Sequence, residues 1–190
     1  MLMRVSRLVV TGCIAGLLLS GGAARAADVD ISAIFAKAMA DQKVGLAKKT
    51  KPVDGRPTVV GEIVVTVIKG EGVETRSKPT EAGDVVVRNR CPETGNEEYV
   101  VKAARMKDRY GDPKGKPDAA GWVEYEPKGV EMRYFLLGEK DGPWSFQAPW
   151  GEAMVAKAGD AIVQDPGNPK DTYRVAGASF RCTYNVVKAP

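Results

Sequence analysis

Ala158-Gly159-Asp160-Ala161-Ile162-Val163 decides the reading of this chain, because Ala82-Gly83-Asp84-Val85-Val86-Val87 repeats its pattern 76 positions earlier. In each stretch a Gly-Asp pair predicts a tight turn. Glycine supplies a positive φ, and the aspartate carboxylate accepts from backbone amides of the turn. A short apolar strand follows. Downstream, Tyr99 and Tyr173, Met106 and Phe180, and Tyr110 and Tyr184 each stand 74 positions apart. Several residue types recurring at a near-constant offset point to a tandem duplication. Met106 with Tyr110, and Phe180 with Tyr184, are i, i+4 pairs, which places a short helix at the end of each copy.

The rest of the chain fits around these two stretches. Thr58 to Lys69, Tyr99-Val100-Val101 and Val130 to Leu137 are further β-rich runs separated by turn residues. Residues 111–120, Gly-Asp-Pro-Lys-Gly-Lys-Pro-Asp-Ala-Ala, lack periodicity and read as a linker. Near the start, Ile31, Ile34, Phe35, Ala38 and Met39 recur on one face of a helix, with Asp30 or Ser32 able to cap it. Lys43, Lys48, Lys49 and Lys51 then read as a solvated loop. The expected fold class is α+β, mainly β: an N-terminal helix over 27–47, a first β-rich module over 48–110, the linker at 111–120, and a second module over 121–190. Each module closes with a short helix.

These residues resemble the PGDYG family, small bacterial and phage-encoded proteins. Its pattern is a Lys-Pro-containing first strand, a Gly-Asp turn, a β-strand, an aromatic residue, then Phe-x-x-x-Tyr. The second copy follows it through Gly159-Asp160, Ile162-Val163, Tyr173 and Phe180-Arg181-Cys182-Thr183-Tyr184. Ala82 and Ala158 stand where the family has Pro, and Val85 and Ala161 where it has Tyr. The resemblance implies an architecture of two degenerate tandem copies; the family brings no known activity.

Residues 1–26 have the order of a signal peptide: Arg4 and Arg7, an apolar run from Leu8 to Leu19, then Ala24-Arg25-Ala26 as the cleavage site. The expected product begins near Ala27 and is periplasmic or secreted, with no transmembrane segment. The segment 1–26 holds three of the 28 basic residues and no acid, so 25 basic residues remain against 24 acidic ones. That balance gives no footprint for nucleic acid. Cys13 leaves with the signal. Cys91 and Cys182 remain as an even pair in an oxidising compartment, and a disulfide between them is expected.

The chain contains no histidine. Ser-His-Asp catalysis, Cys-His catalysis and His-ligated zinc are therefore excluded within one chain. No P-loop, dinucleotide fingerprint or EF-hand loop appears, and nothing calls for a metal or cofactor. Gly83, Asp84, Gly159 and Asp160 read as structural turns. Three aromatics, Trp144, Phe146 and Trp150, crowd Gly142 to Glu152 in the second copy, where the first has Gly70-Glu71-Gly72. They are either a binding surface for a glycan or protein of the envelope, or a cover for the core. The expected function is an exported, non-enzymatic envelope protein that binds or interacts through the second module. The alternative is a carboxylate-based periplasmic hydrolase acting on glycans, with Asp84, Asp160 or Glu152 as its acids.

Overall fold

A computed structural model describes residues 26–190. Apart from its last residue, the expected signal peptide lies outside the described residues. The elements in chain order are β1 (Ala27–Asp28), α1 (Ile31–Ala40), β2 (Gly45–Lys49), β3 (Val53–Pro57), β4 (Val65–Ile68), β5 (Gly72–Arg76), β6 (Val85–Asn89), β7 (Glu98–Val101) and α2 (Ala103–Arg109). They continue with β8 (Val123–Tyr125), β9 (Glu131–Leu136), β10 (Trp144–Gln147), β11 (Ala153–Ala156), β12 (Ala161–Asp165), β13 (Asn168–Val175), α3 (Gly177–Thr183) and β14 (Tyr184–Lys188). The fold is mainly β, as its alternating apolar runs require. None of its helices is long and apolar enough to cross a membrane among the described residues.

The N-terminal helix is shorter than the 27–47 expected. Asp30 caps its start, its carboxylate accepting from the amides of Ser32 and Ala33. It stops at Ala40 because Gln42 takes the left-handed conformation, at φ 57°. The amides of Gln42 and Lys43 then turn back to the carbonyls of Met39 and Ala38, a Schellman closure. The lysine segment that follows is not a solvated loop. Gly45–Lys49 is strand β2, with Gly45 and Ala47 buried.

The two principal sheets do not divide at the expected linker. A five-stranded sheet runs β13-β12-β9-β2-β14 and a four-stranded sheet runs β7-β6-β3-β8. Thus β2, from the start of the chain, lies between β9 and β14, while β8, from beyond residue 120, pairs with β3. Residues 111–120 are held back onto β8, with Lys114 donating its amide to Glu124 O. This placement gives β2 a partner on both edges, so the backbone of this segment is paired within the sheet.

Three cores result. One face of the five-stranded sheet, with Phe135 and Ile162, buries α1 through Ile31, Phe35 and Ala38, together with Phe146 and Met154. Its other face packs Met132, Tyr134 and Val163 against Phe180 of α3. The four-stranded sheet packs Val53 and Val87 against Met106 of α2. Strand β12 is buried on both faces, as its unbroken Ala161-Ile162-Val163 run requires.

The Gly-Asp turns form as their sequence dictates. Gly83 and Gly159 both sit at φ 86°. Asp84 accepts from the amides of Glu81 and Ala103, and Asp160 from those of Lys157 and Gly177. Ala103 and Gly177 open α2 and α3, so each carboxylate closes a turn and holds the first turn of a helix. At Gly177 the approach is so tight that a Cβ would lie 2.2 Å from Gly159 O. A disulfide joins Cys91, in the loop after β6, to Cys182 in α3, across 91 positions of chain.

Candidate functional site

A cavity of about 550 Å³ opens where the two principal sheets, the β4–β5 hairpin and helices α2 and α3 converge. Four tyrosines line it: Tyr99 and Tyr110 from the first half, Tyr173 and Tyr184 from the second. These are the residues that recur 74 positions apart, so spacing noticed as a repeat also marks the walls of one chamber.

On one side, the last residue of β2 supplies a cation. Lys49 Nζ donates to Asn89 Oδ1 and to Tyr99 Oη, each at 2.6 Å. Its ammonium lies 5.2 Å and 5.9 Å from the ring centroids of Tyr99 and Tyr110. No carboxylate pairs with it directly among the described residues. Asn89 bridges instead, donating through Nδ2 to Glu97 Oε1 at 2.7 Å. Thr94 also donates to Glu97. Burial alone would raise the Glu97 carboxyl. The polar groups of Ser179, Thr94 and Asn89 outweigh burial and hold it below the usual glutamate range. The buried Ser179 hydroxyl lies beside Glu97 at the cavity wall, without a hydrogen bond of normal geometry.

The opposite side is held by arginines of α2. Arg109 Nη2 donates to Asp165 and Asp171, both at 2.9 Å, and Arg105 donates to Asp171. Removal from water pushes the hydroxyls of Tyr99 and Tyr184 well above the usual phenol range, and each faces a second tyrosine that adds to this. They stay protonated at any physiological pH. The Tyr99 and Tyr110 hydroxyls are 3.1 Å apart. At the rim, Trp150 stands edge-on to Tyr173, with ring centroids 5.3 Å apart and 38 % of its surface exposed.

A buried ion network forms part of the cavity wall, with Arg174 and Glu74 in its lining. Arg174 of β13, 4 % exposed as a side chain, donates to Asp160 at 2.7 Å, Glu74 at 2.5 Å and Glu71 at 2.8 Å. Glu71 and Glu74 belong to the β4–β5 hairpin region, so one guanidinium ties the first half of the chain to the second.

The aromatic stretch resolves unequally. Trp144 and Phe146 sit two apart on β10 and point to the same face, where Phe146 is buried in the core with Phe35 and Phe135, and Trp144 packs against it. Strand alternation sets both on the face toward the core, with Phe146 buried and Trp144 half-buried, and neither lines the cavity. Trp150 alone of the three reaches the cavity. Among the candidate acids, Asp84 and Asp160 are committed to turns, and Glu152 borders the cavity. Lys49, Asn89, Glu97 and Arg109 have no signal in the sequence, because two strands, the loop before β7 and a helix bring them together. Cys91, Glu93 and Cys182 lie close together, but the two sulfurs are spent on their disulfide.

No family model matches this chain, and no curated protein or solved structure does.

Proposed function

We propose that this chain is an exported, non-enzymatic envelope protein that binds a ligand in the cavity between its two halves. The cavity itself carries the reading. Its volume lies in the range of small-ligand sites, roughly 300–1,000 Å³, and its aromatic walls carry a few convergent polar groups. The disulfide supports an oxidising compartment, which agrees with the expected signal peptide. The two halves are read as PGDYG-like copies that have exchanged their first strands, β2 for β8, which supports a chamber built jointly by both. A carboxylate-based hydrolase is the weaker reading. It needs two free carboxylates facing one substrate, and only Glu152 of its three candidates is at the cavity without a turn to maintain.

Native mass spectrometry of the exported protein, purified from its own cell envelope without denaturation, tests the reading. The expected result is a small-molecule adduct that Trp150→Ala loses while its unfolding midpoint stays within a degree or two of the parent. A parent protein free of adduct, or an adduct kept unchanged by the variant, refutes it.

A further inference from the structure

We infer that the ligand of this cavity is an uncharged, hydroxyl-rich molecule, a neutral glycan, which rests on the reading of the cavity as the binding site. The enclosed charges of the cavity are already answered, while Glu152 and Lys170 stand at less buried positions of its lining without an ion pair among the described residues. Arg105 and Arg109 are paired with Asp171 and Asp165, and Arg174 with Asp160, Glu71 and Glu74. Lys49 is linked to Glu97 through the two ends of the Asn89 amide. A ligand that set a full charge among these enclosed groups would have to break one of the pairs, leaving its partner enclosed and uncompensated.

What remains unspent is hydroxyl valence. Tyr99 Oη accepts from Lys49, and its shorter outlet is Tyr110 Oη at 3.1 Å rather than Asn89 Oδ1 at 3.4 Å. This arrangement leaves the Tyr110 proton for the cavity, at the end of a chain polarised by an ammonium. Tyr173 and Tyr184 line the cavity from the other half of the chain. The Ser179 hydroxyl, 4 % exposed, stands on the wall beside Glu97 without a hydrogen bond of normal geometry. Glu152 offers a carboxylate with no hydrogen bond from the described side chains. Sugars present alternating donors and acceptors, the pattern that phenols, an amide and a carboxylate can complement together. Their C–H faces need a flat apolar partner, and Trp150 stands at the rim with its ring partly open to solvent.

The test is tryptophan fluorescence and calorimetric titration of the whole exported chain, disulfide intact, with cellobiose, maltotriose and diacetylchitobiose. Glucuronic acid and galacturonic acid serve as charged controls, and benzyl alcohol as an apolar one. At least one neutral sugar should bind ten-fold or more tightly than either acid. Trp150→Ala should weaken that binding at least ten-fold, and Ser179→Ala or Tyr110→Phe, which keep the cavity shape, three-fold or more. Equal or tighter binding of an acid, or binding of benzyl alcohol alone, overturns the glycan assignment and leaves the cavity reading standing. Silence from every probe, together with an adduct-free native mass spectrum, overturns both.

Discussion

Replacing Arg174 by methionine removes the one side chain that joins three carboxylates across the two halves of the chain. Two of those acids keep other partners. Asp160 retains the amides of Lys157 and Gly177, and Glu71 retains Lys157 Nζ at 2.8 Å. Glu74 loses everything, because Arg174 is its only side-chain partner among the described residues, and its side chain is 13 % exposed. Breaking one side of a buried pair costs about 3–5 kcal/mol, since the remaining charge stays desolvated. Most of that falls on Glu74, so Glu74→Gln in the same chain should recover about 1–2 kcal/mol, the size of a desolvation penalty for one unsatisfied group. At a urea dependence of ~2 kcal/mol per molar, the single variant shifts the unfolding midpoint down by ~2 M. Urea unfolding followed by circular dichroism, at pH 8 and again at pH 5, is the assay. The deficit should be smaller at pH 5, where Glu74 takes up a proton instead of standing charged. A loss under ~1 kcal/mol, or no recovery by Glu74→Gln, refutes the assignment of Arg174 as the tie between the halves.

Three further outcomes follow from the same structure. Burial raises the Glu74 carboxyl above its ordinary value despite Arg174, so its contribution to stability is full below the ordinary glutamate range and is lost as pH rises through the folded value. Donors outweigh burial and hold Glu97, Glu71 and Asp84 below theirs, so their contributions are present above the ordinary range and are lost as pH falls. A melting series should therefore peak on the acid side of neutrality, and Glu74→Gln should flatten the decline above that peak. Phe146→Ala should cost about 3–5 kcal/mol in urea unfolding and Trp150→Ala less than ~1, the first being core and the second rim. Cys91→Ser with Cys182→Ser should lower stability by up to about 4–5 kcal/mol through the loss of a long closed loop, and mass analysis of the unreduced parent should find no free thiol.

Local chemistry was legible in the sequence, and the arrangement of strands was not. The Gly-Asp turns, the buried strand β12 and the aromatic pair of Phe180 in α3 with Tyr184 at the start of β14 all follow from contacts between near neighbours in the chain. Phe180 and Tyr184 stack with ring centroids 5.0 Å apart, as their i, i+4 spacing allows. The helical pattern runs past Ala40 because Leu46 falls on the same apolar face, and nothing in composition announces that Gln42 will adopt a positive φ. The lysine segment misled for a related reason. Hydropathy sees charge at Lys48 and Lys49, whereas the strand needs only Gly45 and Ala47 to be small enough for burial. At Gly45 a Cβ would come 2.7 Å from the Tyr134 ring and 2.4 Å from Lys188 O, so strand β2 depends on a residue that reads as a turn. Of the aromatics that suggest a binding surface, Phe146 belongs to the core and Trp144 packs half-buried against it, because period two sets both on the same face of β10.

The placement of β2 and β8 explains why the cavity is invisible in the sequence: β2 lies between β9 and β14, and β8 pairs with β3. With β2 carried into the second sheet, Lys49 arrives beside Asn89 and Tyr99 of the first, and Tyr184 pairs with it across the backbone. The disulfide acts on the same joint. Cys91 follows β6 directly and Cys182 precedes Tyr184 by two, so the bond ties the segment behind Asn89 to the helix that delivers Tyr184 and Ser179. Reduction should therefore loosen the two walls of the chamber relative to each other before it unfolds either sheet. That predicts faster amide exchange in α3 and in residues 91–97 while β9 and β12 remain protected, and uniform loss of protection would instead assign the bond to global stability alone.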